Sequence, residues 1–154
     1  MPNSKRVLLI ISGGIAAYKS LDLVRLLRDD DIAVRCILTR NGAQFVTALS
    51  LGTLSEDTVY ENLFSLTGEN EIGHIELSRD TDLLVVAPAT ANLIAKMRVG
   101  LADDLASTAL LATDKPILIA PAMNFRMWEH ETTQENVRIL QTRGINIIGP
   151  EEGD

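Results

Sequence analysis

Cysteine is almost absent from this chain, with Cys36 its single thiol. That excludes a disulfide within the chain and any metal site built on several cysteines, and it fits a reducing compartment. Histidine is nearly as scarce. His74 and His130 stand far apart in sequence, so no His/Cys constellation has metal-ligand spacing and no metal is expected. Positive charge is in deficit: 14 Lys and Arg against 21 Asp and Glu give a formal net charge of −7. Phosphate backbones need a basic patch, and without one no nucleic-acid partner is expected. Long apolar runs are missing too. The N-terminal run, residues 7–11 behind Lys5 and Arg6, is too short for a signal-peptide core and far too short to span a bilayer. A membrane location is therefore not expected, and the cytoplasm is the default.

Two familiar phosphate-binding loops are also missing, although the turn SGGIAAYKS at residues 12–20 imitates both. The dinucleotide fingerprint needs G-x-G-x-x-G, whereas Gly13 and Gly14 are adjacent. The nucleotide phosphate loop needs a second glycine before Lys-Ser, and Tyr18 stands there. A tyrosine cannot let the backbone wrap phosphates, so an NTPase is rejected. What is left is a run of small residues leading from a strand into a helix N-terminus. Such a turn can admit an anion or a flat ring near backbone amides, or it can be a tight turn with no ligand.

With 154 residues, 46% of them hydrophobic and 23% charged, the chain reads as one globular domain, 1–154. Residues 7–11 form an apolar run ended by Ser12-Gly13-Gly14, which predicts a central strand. Residues 16–28 place Ala17, Leu21, Val24 and Leu27 at helical spacing, with Leu23 and Leu26 widening the face. Residues 32–39 alternate as a second strand. A short helix is expected over 43–49, and a short strand within 54–60. Residues 61–73 read as a loop. The run 83–87 predicts a strand cut off by Pro88, and helices follow over 90–97 and 103–112. A strand over 117–120 should stop before Pro121, since proline cannot donate to a ladder. A helix over 133–143 with Gly144 as its stop signal and a strand over 146–148 complete the series. Strands alternating with helices mean a parallel sheet covered on both faces: α/β class.

Four strand ends can converge on one edge of such a sheet: 12–14, 39–41, 87–90 and 120–122. An A-P-A triplet closes two of them, with Thr90 and Asn92 as polar handles. Carboxyl ends of strands in an open α/β sheet are where ligands bind. The stretch ILIAPAMNFRMW, residues 117–128, is odd for a surface turn. It is apolar except for the amide of Asn124 and the charge of Arg126, whereas turns are ordinarily rich in Gly, Asn and Asp. Met123, Met127 and Trp128 could line a pocket or belong to the core. His74 could be a base, a structural donor or simply exposed. His130 reads as solvated, and Cys36 as a buried core thiol. Glu69, Glu71, Glu76, Asp103 and Asp104 read as solvated faces or helix-end partners.

SGGIAAYK, then GHIELSRDTDLLVVAPATANLIAK at residues 73–96, then APAMNFRMW resemble the flavin-containing cysteine decarboxylases. Within them the chain is most similar to the phosphopantothenoylcysteine decarboxylase domains of bifunctional coenzyme A biosynthesis proteins. The resemblance implies a three-layer α/β/α sandwich with a Rossmann-like or flavodoxin-like sheet in the order 3-2-1-4-5-6. It implies FMN as cofactor, held by Gly13, Gly14, Ile15, Thr39, Asn41, Thr90, Ala91, Asn92, Leu93 and Ala122. It makes His74 the catalytic histidine and Asn124 the ligand of the substrate carboxylate, with Met127 beside it.

The implied reaction is decarboxylation of 4′-phosphopantothenoylcysteine to 4′-phosphopantetheine, through flavin oxidation to a thioaldehyde and loss of CO₂. A peptidyl-cysteine decarboxylase and a non-catalytic flavin-binding subunit are the alternatives. Homotrimers or homododecamers are implied, as is a synthetase domain in the full-length protein. Family members carry a clamp segment with an A-C-G core just beyond the equivalent of Gly149-Pro150. The present sequence lacks it, so a fragment of a longer protein is expected, with a short variant as the alternative.

Overall fold

The structure, a computed structural model, describes residues 5–61, 77 and 79–150. Six parallel strands make one sheet in the order β3-β2-β1-β4-β5-β6. They are β1 (Arg6–Ile11), β2 (Ala33–Leu38), β3 (Val59–Tyr60), β4 (Leu83–Ala89), β5 (Ile117–Pro121) and β6 (Asn146–Ile147). The order reverses between β1 and β4, so a crevice opens at the carboxyl ends of those two strands. Helices cover both faces, as the resemblance implies.

The pleat of β1 explains the two layers. Successive side chains alternate between faces. Val7, Leu9 and Ile11 enter one buried cluster, and Leu8 and Ile10 enter the other. On the first face lie α1 (Lys19–Asp29) and α2 (Ala48–Ser55), contributing Val24 and Leu51. On the second lie α3 (Ala91–Val99), α4 (Leu105–Ala112) and α6 (Glu131–Thr142), contributing Ile94, Ala109 and Leu140 among others. A five-residue helix, α5 (Phe125–Glu129), precedes α6. Cys36 is fully buried, as read from its alternating strand.

Several local expectations need correcting. The first helix begins as a single 3-10 turn, Ile15–Tyr18, before α1 takes over. Leu26 lies off the buried face and is 63% exposed. The helix expected over 43–49 is instead a 3-10 turn, Gly42–Gln44, followed by a fresh start at α2. Thr47 causes the restart, because its hydroxyl accepts the Ser50 amide at 3.0 Å and so caps a new helix. Of the strand sought within 54–60, only Val59 and Tyr60 pair.

Neither strand stops before its proline. Pro88 sits inside β4 at a register shift between Val86 and Ala89, where the ladder asks for no amide. Pro121 is the last residue of β5 and faces Ala89, and the next amide, Ala122, donates to the Ala89 carbonyl at 3.1 Å. A proline removes one donor, but its own carbonyl and the following amide still pair.

Candidate functional site

The carboxyl edge of the sheet is tied together by two hydroxyls. Thr39, just past β2, donates to the Ile11 carbonyl at 3.1 Å and accepts the Gly42 amide at 2.9 Å. Ser12, just past β1, donates to the Pro88 carbonyl at 2.5 Å and accepts the Thr90 amide at 3.1 Å. Each hydroxyl binds a carbonyl on a neighbouring strand and an amide in a following turn. Together with the bond from Ala122 to Ala89, they join the ends of β2, β1, β4 and β5 into one continuous rim.

The glycine pair lies along that rim. A Cβ on Gly13 would stand 2.6 Å from the Cβ of Asn41, so glycine is needed for the two turns to touch. Gly14 has φ +137°, and a Cβ there would meet nothing within 4 Å. The pair is therefore closed toward Asn41 and open on the outer side, where a ligand can approach backbone. Ile15 follows, 79% exposed.

Across the crevice, Thr90 caps α3 by accepting the Leu93 amide at 3.2 Å. The first amides of an α-helix have no intrahelical acceptor, so Ala91 and Asn92 carry donors free for a ligand. Asn92 is exposed, and Leu93 is not. The Leu93 side chain belongs to the core, so only its backbone belongs to the rim.

Beyond β5, Asn124 caps α5. Its Oδ1 accepts the Met127 amide at 2.9 Å. With the oxygen committed, the two N–H bonds of the Asn124 amide are the groups left to meet a ligand. Asn124 and Met127 are exposed, whereas Met123 and Trp128 are half-buried against the core. That divides the apolar stretch, since Met127 faces outward and the other two pack inward.

The residues named for cofactor and carboxylate thus follow four adjoining strands. His74 lies outside the described residues, as do Glu69, Glu71 and Glu76. Sequence reasoning assigned nothing to Ser12, whose buried hydroxyl spans the crevice. The signal was a serine opening a glycine turn opposite a proline that cannot donate.

A cavity of about 540 Å³ opens on the β2 side of the rim, bordered by Thr39, Arg40, Gln44 and Leu105. Asp103 and Asp104 also line it. They also hold the neighbouring helix ends. Asp103 pairs with Lys96 at 2.9 Å, which together with the Ser107 hydroxyl holds its carboxyl below the ordinary range. Asp104 and Ser107 form a reciprocal capping box at the start of α4. His130 is likewise a cap, its Nδ1 accepting the Thr132 amide at 3.0 Å. Burial, with a smaller contribution from Asp57, pushes the Cys36 thiol up to about 12. A thiol so held is protonated and unreactive at neutral pH. Among the described residues no group of three His, Cys, Asp or Glu side chains could hold a metal. No helix among them is long and apolar enough to cross a membrane.

Comparison with known proteins adds identity to this geometry. Residues 1–154 match the family model described as Flavoprotein. The chain is 47% identical over 151 residues to the coenzyme A biosynthesis bifunctional protein CoaBC of Haemophilus influenzae, covering 98% of this chain and 38% of that protein. Well under half the length of such relatives is therefore spanned. Among solved structures, a PPC decarboxylase variant complexed with pantothenoylaminoethenethiol superposes with a TM-score of 0.83 at 34% identity, covering 97% of this chain and 84% of that one. The FMN-dependent cysteine decarboxylase SpaF superposes at 0.90 with 29% identity, covering 97% and 86%.

Proposed function

This chain belongs to the Flavoprotein family, and we propose that it binds FMN at the carboxyl edge of its sheet and there decarboxylates 4′-phosphopantothenoylcysteine to 4′-phosphopantetheine. The likeness to a PPC decarboxylase over 84% of that chain carries this reading. The CoaBC relative at 47% identity favours this substrate over a peptidyl cysteine. SpaF, at 29% identity, is the reason to test both.

The rim suits a flavin by its chemistry. Gly14 leaves open space beside bare backbone, and the first turn of α3 offers uncharged donors. Gly13, Gly14 and Ile15 on one side and Thr90, Ala91 and Asn92 on the other would hold the cofactor, with Asn41 and Ala122 at its flanks. Thr39 contributes chiefly by fixing the turn that carries Asn41. Bound FMN supplies a two-electron acceptor for the CH₂–SH end of the cysteine and returns the electrons after CO₂ has left, so there is no net redox change.

Asn124 holds the departing carboxylate through its N–H donors. Being neutral, it orients the group without the charge pairing that would stabilise the carboxylate against loss. His74 is the proposed base for the substrate proton. Cys36 cannot protonate the decarboxylated product, because it is sealed in the core.

The oligomer and the rest of the protein extend the proposal. Ile15 and Leu49 are each 79% exposed, and a second copy in a homotrimer or homododecamer would cover such surface. A synthetase domain would account for the remaining length of the CoaBC relatives, and a soluble cytoplasmic enzyme fits that role.

Incubation with 4′-phosphopantothenoylcysteine and with a cysteine-terminal peptide, each followed by mass analysis, tests substrate choice. CO₂ loss from the first alone is expected. Purified protein should be yellow, and His74→Asn should keep flavin and lose CO₂ release. Protein that takes up no FMN would overturn the reading, and native turnover by the His74 variant would overturn the role of that residue.

A further inference from the structure

We propose that Ser12 is a positioning residue for the cofactor rim: its hydroxyl sets the distance between the glycine turn and the first turn of α3. The inference rests on the FMN reading above.

Ser12 is 4% exposed, so its hydroxyl faces protein and not a ligand. It stands where β1 ends, at the point where the strand order reverses. On the far side of the crevice, β4 loses register with β5 from Val86 to Ala89, and Pro88 contributes no amide. On its β1 side the ladder ends at Ile10 opposite Val86, before β4 hands over to α3. Ser12 bridges the gap: its Oγ donates to the Pro88 carbonyl at 2.5 Å and accepts the Thr90 amide at 3.1 Å. The Ser12 amide reaches the same carbonyl at 3.4 Å.

Thr90 is in turn the cap of α3, its hydroxyl taking the Leu93 amide at 3.2 Å. Ser12 thus anchors, through one side chain, the residue that leaves Ala91 and Asn92 free to donate. Gly13 and Gly14 follow Ser12 directly, so one anchor serves both walls of the crevice. Losing it leaves the part-buried Thr90 amide without its partner and the buried Pro88 carbonyl with only the long bond from the Ser12 amide, and a crevice that relaxes to recover them.

The test uses wild type, Ser12→Ala and Ser12→Cys, each stripped of flavin and titrated with FMN well below its melting temperature. Flavin fluorescence reports affinity, the visible circular dichroism of the bound ring reports its seating, and hydrogen exchange reports the Thr90 amide. Ser12→Ala should bind FMN about tenfold more weakly, the worth of roughly one hydrogen bond. Its bound flavin should give an altered dichroic spectrum, and its Thr90 amide should exchange faster while that of Ile10 does not. Ser12→Cys, a near-isostere with a poor donor and acceptor, should fall between. Because folded protein is titrated, a loss of global stability alone leaves affinity and spectrum where they were.

Wild-type affinity within twofold and an unchanged spectrum for Ser12→Ala would overturn the proposal and leave the FMN reading intact. If Ser12→Ala does not fold, the same result for Ser12→Cys would overturn it. Wild type that takes up no FMN would sink both.

Discussion

Asn124 Oδ1 accepts the Met127 amide at 2.9 Å, and this bond decides which half of the side chain is left for a ligand. The oxygen holds the helix, and the N–H₂ end is left for the proposed substrate contact. The two duties separate on substitution. Asp is as good a helix cap as Asn, so Asn124→Asp should melt within about 0.5 kcal/mol of wild type. It offers no donor and sets a second carboxylate against the substrate's, so CO₂ release should fall by about a hundredfold or more. Asn124→Ala loses both duties, costing about 1 kcal/mol of helix stability as well. Thermal melts alongside a CO₂ assay check this, and an Asp variant with near-native turnover would remove Asn124 from the carboxylate.

Close backbone approach makes a second prediction. A Cβ on Gly42 would lie 2.5 Å from the Ile11 carbonyl oxygen, with Leu38 and Thr39 crowding it at 3.0 and 3.1 Å. Backbone cannot move aside cheaply, so Gly42→Ala should lose about 1–3 kcal/mol. Gly13→Ala meets Asn41 at 2.6 Å, and should weaken FMN binding by parting the two turns. Denaturant melts of both variants and FMN titration of the second give the answers. A Gly42→Ala protein of native stability would mean the turn is not fixed as described.

The strands and the α/β class were legible because apolar runs such as residues 7–11 and 83–87 have no other use than a doubly covered sheet. The site was legible only where a residue is odd for its place, as Asn124 is among methionines. Tertiary hydrogen bonds hid the rest. Nothing local announces that Pro88 can stay inside a strand, because the permission comes from the register shift against β5 between Val86 and Ala89. The Asn124 amide reads as a free ligand group until α5 is seen to take its oxygen. Leu93 looks like part of a site motif, yet helical spacing turns its side chain into the core.

Thr47 shows the same limit on a smaller scale. Its hydroxyl holds the Ser50 amide and starts α2 later than periodicity suggests. Thr47→Ala should cost about 1 kcal/mol, or roughly 2–4 °C in melting temperature for a chain of this size. Thr47→Ser should restore most of it. A melt unchanged by Thr47→Ala would assign the helix start to packing of Leu51 instead.

Cys36 makes the last prediction, and its sign follows from the direction of its shift. Burial first, then Asp57, raises the thiol from 9.0 to about 12. The folded protein therefore keeps a proton that the unfolded chain releases. The stability this gives is fully present below pH 9.0 and is lost as pH rises toward about 12. Over that window one thiol steepens the decline by up to about 1.4 kcal/mol per pH unit. Cys36→Ala should lower stability at neutral pH through the cavity it leaves, yet show a shallower fall above pH 9.0. Thiolate absorbance should appear in native protein only toward the top of the window, and near the ordinary thiol range in denaturant. A native thiol that ionises there too, or that labels rapidly with iodoacetamide at neutral pH, would show that Cys36 is not sealed in the core and would make it a candidate proton donor.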